Sequence, residues 1–227
     1  MPLAENIALL EKRIQAACNR AHRSRSDITL VAVSKAKPPE LIIEALRAGI
    51  TDIGENRIQE AAAKKPLVTL PARWHLVGAL QTNKVRKALE LFEVIHSVDS
   101  FHLAEEIQRR CEQTQRTVKV LVEVNTTAEP TKHGVTSDGL PGLIEALLRL
   151  NRLELVGLMT IGPGWATADP EASRPCFREL VRLAQETRQR FGIPLPHLSM
   201  GMSSDFEPAI EEGATILRIG TAIFGPR

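Results

Sequence analysis

The chain has 227 residues, 43% of them hydrophobic, which is enough to bury the core of one domain or two small ones. Its 29 basic and 27 acidic residues leave a net charge of +2, which argues against binding to a nucleic acid backbone. No apolar run reaches the length of a membrane span, and the N-terminus lacks the basic and apolar regions of a signal peptide. We therefore expect a cytoplasmic protein with neither nucleic acid nor membrane as a partner.

The cysteines give a second indication of the compartment. Cys18, Cys111 and Cys176 are odd in number and far apart, so neither a disulfide framework nor a zinc site is expected. We interpret them as buried thiols in a reducing environment.

The elements alternate regularly along the chain. Apolar residues from Leu3 to Ala17 recur at steps of three and four, which predicts an amphipathic N-terminal helix within 1–22, packed on the flank or floor of the fold. Eight strand-like runs follow, and helical patterns separate them. This order predicts a single (β/α)8 TIM barrel spanning 1–227, a length within the roughly 200–400 residues usual for that fold. The strands are expected at 29–35, 51–55, 73–79, 94–98, 118–124, 153–160, 197–201 and 215–219, and the helices between them near 39–48, 56–65, 82–92, 101–115, 137–150, 170–191 and 205–212.

Lys35 closes the first predicted strand, and barrels build their active sites where strands end. A desolvated lysine at that position is a nucleophile that forms a Schiff base with a carbonyl compound. The alternative is an ordinary surface lysine, a role that Lys37 fits better.

The second and third strands end in further polar residues. Asn56 either caps the following helix or directs its amide into the barrel mouth. Either Trp74 or His75 must face the barrel interior, because neighbours on a strand alternate sides. We favour a core histidine bonded to a backbone carbonyl over a catalytic one, and His75 has no metal-ligand partner at a recognisable spacing.

The last two strands carry a stronger signal. The seventh strand runs into a serine-rich turn, in which Ser204 and Glu207 have the spacing of a capping box, and the eighth contains Arg218 before Gly220. Loops after strands seven and eight of such barrels often bind phosphate. Two ordinary turns are the alternative, but together these residues favour a phosphorylated ligand.

Two ligands fit a lysine opposite a phosphate site. A phosphosugar would make the protein a class I aldolase, whereas pyridoxal 5′-phosphate (PLP) has an aldehyde that forms an imine with lysine. Arg218 distinguishes between them, since an arginine beside a pyridine nitrogen would keep that nitrogen unprotonated.

At these residues the chain resembles the pyridoxal 5′-phosphate homeostasis proteins, which share the barrel of alanine racemase and are grouped with the fold-type III enzymes. The resemblance covers nearly the whole chain and departs at Arg57, Ile58 and Trp165. It implies that Lys35 carries the cofactor imine, that Asn56 lines its site and that Arg218 faces the pyridine nitrogen. It further implies that Ser203 and the backbone at Gly220 and Thr221 hold the phosphate. The motifs that carry it are Ala32-Val33-Ser34-Lys35, Gly54-Glu55-Asn56 with Gln59-Glu60, Trp74-His75 with Gly78 and Gln81-Thr82-Asn83-Lys84, Leu198-Ser199-Met200-Gly201-Met202-Ser203, and Arg218-Ile219-Gly220-Thr221-Ala222-Ile223-Phe224-Gly225.

The resemblance also implies a carrier that buffers or delivers PLP without established turnover. Racemisation in the related enzymes needs a tyrosine from an added β-domain of the partner subunit, and this chain contains no tyrosine. We expect a monomer whose partners are PLP and apo-enzymes that depend on it, with loops at 126–134 and 162–169 gating the mouth. A PLP-dependent racemase is the first alternative, and the phosphosugar aldolase is the second.

Overall fold

A computed structural model describes residues 2–127, 129 and 132–226. Strands and helices alternate along most of the chain. The strands are β1 (Thr29–Val33), β2 (Asp52–Glu55), β3 (Arg73–Leu76), β4 (Val94–Val98), β5 (Val118–Asn125), β6 (Val135–Thr136), β7 (Leu153–Met159), β8 (His197–Ser199) and β9 (Ile216–Ile219). The helices are α1 (Leu3–Arg20), α2 (Pro39–Arg47), α3 (Ile58–Lys64), α4 (Val85–Leu91), α5 (Phe101–Gln113), α6 (Leu140–Leu147), α7 (Arg174–Phe191), α8 (Phe206–Glu211) and α9 (Thr221–Phe224).

The strands form a closed parallel barrel. Their order is β4-β3-β2-β1-β9-β8-β7-β5-β6, and a further pairing between β4 and β5 closes the ring. The two-residue β6 pairs only with the end of β5, so eight strands make the barrel itself. The predicted (β/α)8 barrel is therefore confirmed, and each of the eight predicted strands overlaps an observed one.

The differences lie at element ends. β1 stops at Val33, so Ser34 and Lys35 stand in the turn that follows it. That turn closes with a hydrogen bond from Lys37 N–H to Ser34 O at 3.0 Å, and Ala36 takes a φ of +59°, which a strand does not allow. Two short elements, β6 and α9, were not predicted because neither is long enough to show a periodicity.

Two apolar layers surround the strand backbone. Inside the barrel lie Val31, Val94, Leu121, Val156, Met159 and Ile216. A larger cluster fills the space between strands and helices, and it includes Leu30 and Ala32 on either side of Val31. This alternation follows from the pleat, which directs successive side chains to opposite faces.

The N-terminal helix α1 packs against α8 and α9. Its predicted apolar stripe is buried, with Ile14 and Ala17 fully inaccessible to solvent. Arg20 bonds to both Glu207 and Glu211 of α8, at 2.8 and 2.7 Å. The helix thus packs beside the segment that follows β8.

Three further observations are limited to the described residues. Cys18, Cys111 and Cys176 are free and buried, as predicted. No cluster of potential metal ligands is found among the described residues. None of the helices in the described part of the chain is long and apolar enough to span a membrane.

Candidate functional site

A cavity of about 450 Å³ opens at the carboxyl ends of the barrel strands. Its volume lies within the roughly 300–1,000 Å³ usual for small-ligand sites. All six predicted site residues line it, although they come from four separate stretches of the chain. The lining consists of Val33, Lys35, Lys37, Asn56, Val77, Ile161, Met202, Ser203, Ser204, Arg218, Gly220, Thr221, Phe224 and Gly225.

Lys35 enters this cavity from the turn after β1. The lysine is half-buried, and its amine forms no hydrogen bond or ion pair with any described residue. Lys37 also lines the cavity, but its Nζ donates to Pro226 O at 2.7 Å. Of these two amines, that of Lys35 is the one left available for chemistry.

A buried polar network holds the turn that carries Lys35. Lys64 Nζ donates to Glu55 Oε1 at 2.7 Å and to Ser34 O at 2.9 Å. Ser34 Oγ donates to the same Glu55 oxygen at 2.6 Å, and Glu60 accepts from Ala36 N–H at 2.8 Å. Bonds of this kind fix the backbone on both sides of Lys35.

Burial of the Glu55 carboxyl inside this network is energetically unfavourable. The carboxyl is fully buried, and its Oε2 has no hydrogen-bond partner among the residues that the structure describes. Burial raises the pKa of Glu55, and the bonds from Lys64 and Ser34 only partly oppose that shift. Lys64 is therefore a cation that opposes the upward shift of the Glu55 pKa.

Asn56 follows β2 and is half-buried at the cavity wall. The helix-capping alternative for Asn56 is wrong, because α3 begins at Ile58 with Arg57 as N-cap and has no side-chain cap bond. Gly78 lies directly against this residue, since a Cβ at position 78 would fall 2.3 Å from Asn56 O. The close approach of two loops sets where Asn56 stands.

Ser203, Gly220 and Thr221 meet at the start of α9. Ser203 Oγ accepts the N–H of Ala222 at 3.2 Å, which ties the turn after β8 to this helix. The N–H groups of Gly220 and Thr221 have no acceptor within α9, because both residues lie at the start of that helix. These donors and the serine hydroxyl together offer an anion several hydrogen bonds.

The predicted capping box of Ser204 and Glu207 is wrong. The N-cap of α8 is Asp205, and no side chain caps that helix. Glu207 instead pairs with Arg13 and Arg20 of α1, each at 2.8 Å. The long-range pairing with α1 replaces the local bond that the spacing suggested.

Arg218 projects from β9 into the barrel, where only 5% of its surface is exposed. Its Nη1 donates to Ser199 Oγ at 2.6 Å and its Nη2 to Thr160 O at 2.8 Å. Burial lowers the pKa of Arg218 to about 10, with the nearby Glu123 carboxyl opposing the shift, so the guanidinium stays charged at neutral pH. Three of its five N–H donors have no acceptor among the described residues.

His75 faces the barrel interior, and Trp74 packs outward in the strand–helix layer. The expected backbone-carbonyl partner of His75 is wrong. Its Nε2 lies 2.8 Å from Asp52 Oδ1 and its Nδ1 lies 2.9 Å from His96 Nε2. Side chains from neighbouring strands satisfy this ring because all three point into the same narrow interior.

The two predicted gating loops are partly described. Lys132 Nζ donates to Gly162 O at 2.9 Å, which links the loop after β5 to the loop after β7. Residues 128, 130 and 131 of the first loop lie outside the described part of the chain. Trp165 in the second loop is 68% exposed. Gating itself stays a prediction.

Comparison with known proteins defines the class first. Residues 6–227 match the family model described as the N-terminal domain of alanine racemase. An alanine racemase of Clostridium difficile 630 superposes with a TM-score of 0.76 at 13% identity. The match covers 98% of this chain and 57% of the racemase chain, and it shows a shared fold.

More similar relatives identify the family within that class. A pyridoxal phosphate homeostasis protein of Aquifex aeolicus is 46% identical over 228 residues, 100% of this chain and 99% of the relative. One from Pseudomonas aeruginosa is 41% identical and covers 99% of this chain and 96% of its own. The chain belongs to the family of pyridoxal phosphate homeostasis proteins, as the sequence motifs predicted.

A solved structure agrees with these relatives. PipY of Synechococcus elongatus PCC7942, determined with PLP bound, is 38% identical and superposes with a TM-score of 0.85. The alignment covers 98% of this chain and all of PipY.

Two residues near the cavity escaped the sequence analysis. Glu55 appeared only as part of a motif, and Lys64 only as a position in a helix. Both belong to the network that holds Lys35. A signal was present, because a glutamate at the end of an apolar strand needs a buried cation, but the spacing does not say which lysine supplies it.

Proposed function

We propose that the protein binds PLP in the cavity at the barrel mouth and serves PLP homeostasis by buffering or delivering the cofactor. One observation carries the proposal. The unpaired amine of Lys35 and the buried guanidinium of Arg218 line the same cavity. The family membership and the PLP-bound PipY structure support the same ligand.

The residues present fit this cofactor. PLP supplies an aldehyde carbon that condenses with a primary amine, together with a phosphate dianion and an aromatic ring containing a basic nitrogen. Lys35 offers the amine, and Arg218 offers buried donors that have no acceptor among the described residues. The turn at Ser203 and the start of α9 offer hydroxyl and N–H donors for a phosphate.

Each side chain then has a distinct task. Lys35 would hold the cofactor through its side-chain amine, the group with which the PLP aldehyde condenses with loss of water. Arg218 would face the ring nitrogen, where its positive charge would disfavour a proton. Ser203, with the N–H groups of Gly220 and Thr221, binds the phosphate. Asn56 lines the cavity wall beside Lys35.

Two features of the chain and one general principle support binding without turnover. The chain has no tyrosine to act as the second proton donor of a racemase. A guanidinium beside the ring nitrogen weakens the electron sink that PLP-dependent catalysis uses. A site can also hold a cofactor tightly while stabilising no transition state, and only the latter accelerates a reaction. These features favour a carrier over the racemase, and the relatives' names favour PLP over a phosphosugar.

Borohydride trapping tests the assignment of the amine. The purified protein, incubated with PLP and reduced, should carry a covalent adduct on the peptide that contains Lys35. Lys35→Ala should abolish both the adduct and the visible absorbance band, whereas Lys37→Ala should retain them because Lys37 is bonded to Pro226 O. An adduct mapped by mass spectrometry to Lys37 or Lys84 would contradict the proposal.

A further inference from the structure

A line of hydrogen-bonded side chains runs through the barrel interior to Arg218, and the proposed function does not use it. Five strands contribute one residue each. Arg218 Nη1 lies 2.6 Å from Ser199 Oγ, which lies 3.0 Å from His96 Nδ1. His96 Nε2 lies 2.9 Å from His75 Nδ1, and His75 Nε2 lies 2.8 Å from Asp52 Oδ1. All five are at least nine-tenths buried, and we call this set the polar chain.

With Asp52 ionised and both rings neutral, every bond in the polar chain has one direction. A guanidinium only donates, so Ser199 Oγ must accept from Arg218 and has its own proton left for His96 Nδ1. His96 then carries its proton on Nε2 and donates to His75 Nδ1. His75 in turn donates from Nε2 to the Asp52 carboxylate, which only accepts when ionised. This arrangement of protons, which takes both rings as neutral, satisfies all five groups.

Charges around the polar chain agree with that arrangement. Burial alone would raise the pKa of Asp52, but hydrogen bonds from His75 and Thr51 outweigh it and the pKa is lowered. Burial, reinforced by His75, Arg218 and His197, lowers the pKa of His96 well below its ordinary value. The Asp52 end also faces Arg73, whose Nη1 is 3.6 Å away. At neutral pH the polar chain therefore connects a charged donor, Arg218, to a charged acceptor, Asp52.

We propose that His96, acting through Ser199, positions Arg218 in the cofactor cavity, and that Asp52 at the far end sets the direction of the bonds. Because Ser199 donates to His96 in this arrangement, its lone pairs stay directed at Arg218. The guanidinium is thus held in place before any ligand arrives, which reduces the ordering that binding requires. This positioning role deepens the proposed function and rests on it, since Arg218 matters as a ligand-facing group only if the cavity binds PLP.

The proton arrangement is testable in the ligand-free protein. Two-bond ¹H–¹⁵N correlation spectra of the histidine rings distinguish the Nδ1–H form, the Nε2–H form and the charged ring. We expect His75 and His96, assigned by His75→Gln and His96→Gln, to be neutral Nε2–H forms near neutral pH. A charged ring or an Nδ1–H form at His96 would overturn the proposed direction. This measurement involves no cofactor, so its result is independent of whether PLP binds.

The positioning role is tested by titrating PLP into variants whose folding is verified by circular dichroism. Ser199→Ala and His96→Phe should weaken PLP binding about tenfold, the equivalent of roughly 1.4 kcal/mol, and shift the visible band of the bound cofactor. His96→Gln keeps one acceptor and one donor, so it should restore part of both properties.

The far end of the polar chain provides the sharpest comparison. Asp52→Asn replaces an acceptor by a group that also donates, so it permits the bonds to reverse although residue 52 does not line the cavity. It should weaken PLP binding severalfold and shift the visible band of the bound cofactor. Thr51→Val is the matched control, because it removes the other bond to Asp52, from Thr51 Oγ at 2.6 Å, without changing the direction.

The outcomes separate the two proposals. If the wild-type protein gives no borohydride-trapped adduct, the proposed function fails whatever the NMR spectra show. If wild type binds PLP and the Ser199, His96 and Asp52 variants bind it with unchanged affinity and unchanged band position, the positioning role is overturned and the proposed function stands.

Discussion

Lys64 shows how a single residue away from the cavity supports it. Its ammonium is the cation for Glu55, whose side chain is wholly inaccessible. Removal of one partner from a buried ion pair leaves an uncompensated charge, and this is more destabilising than loss of an exposed pair.

Lys64→Met should therefore lower the free energy of unfolding by about 3–5 kcal/mol. The matched control is Lys87→Met, which breaks the exposed pair between Lys87 and Glu90 at 2.8 Å and should change stability by less than about 0.5 kcal/mol. Urea denaturation measures both. Equal losses in the two variants would show that Lys64 does not act as a buried structural cation.

Ser203 carries the second prediction at this scale. If the turn after β8 binds the phosphate, Ser203→Ala should weaken PLP binding by about 1–3 kcal/mol, because a buried charge-assisted hydrogen bond is lost. Binding of pyridoxal, which lacks the phosphate, should be much weaker in wild type and nearly unaffected by the substitution.

Isothermal or absorbance titration with both compounds measures the effect. Ser204→Ala is the control, since Ser204 lines the same cavity but makes no hydrogen bond among the described residues. An equal affinity of the wild-type protein for PLP and pyridoxal would rule out the phosphate site.

At the scale of elements, loop contacts determine where the site residues stand. Gly78 and Asn56 follow neighbouring strands, β3 and β2, and their backbones touch. A side chain at position 78 would displace Asn56 from the cavity wall. By contrast, a Cβ at Gly142 in α6 meets nothing within 4 Å.

Two glycine-to-alanine substitutions should therefore have opposite effects. Gly78→Ala should destabilise the protein by about 1–3 kcal/mol through overpacking and should also weaken PLP binding. Gly142→Ala should stabilise it by about 0.5–1 kcal/mol, because alanine is the better helix former, and should leave binding unchanged. Thermal unfolding with and without PLP checks both, and a neutral Gly78→Ala would mean that the loops separate freely.

Element boundaries were the least accurate part of the sequence prediction. Strand β1 ends two residues before Lys35, because Ala36 turns the backbone and Glu60 and Lys64 hold it there. Those partners lie more than twenty residues away along the chain. Local propensity does not register contacts at that separation.

At the scale of the whole molecule, the open end of the barrel is relevant to the proposed delivery of PLP. The cavity opens at the barrel mouth. An open mouth supports the proposed exchange of PLP with acceptor proteins.

Cofactor transfer is the decisive assay for the carrier role. Holo-protein mixed with a PLP-dependent apo-enzyme should restore that enzyme's activity, while chiral assays with alanine, serine and lysine should detect little or no racemisation. Rapid racemisation that disappears in Lys35→Ala would overturn the carrier role. So would failure to activate any acceptor at concentrations where free PLP succeeds.

The barrel and six of the residues that line its mouth were predictable from the sequence. Alternation of eight apolar strands with amphipathic helices is a local pattern, repeated along the chain, and only a closed parallel barrel buries all of it. Lys35, Ser203 and Arg218 were predictable because each lies at or near the end of a strand, and strand ends converge in this fold. Their convergence in one cavity needed no knowledge of side-chain contacts.

Tertiary structure alone decided which polar groups pair inside the barrel. Asp52, His75, His96 and Ser199 lie on four different strands, and nothing in their spacing indicates that they form a line to Arg218. The same holds for Glu55 with Lys64 and for Glu207 with α1. Such pairs depend on the stagger of the strands and on the direction of each side chain, which are set when the barrel closes and all these groups must find partners in the same enclosed space.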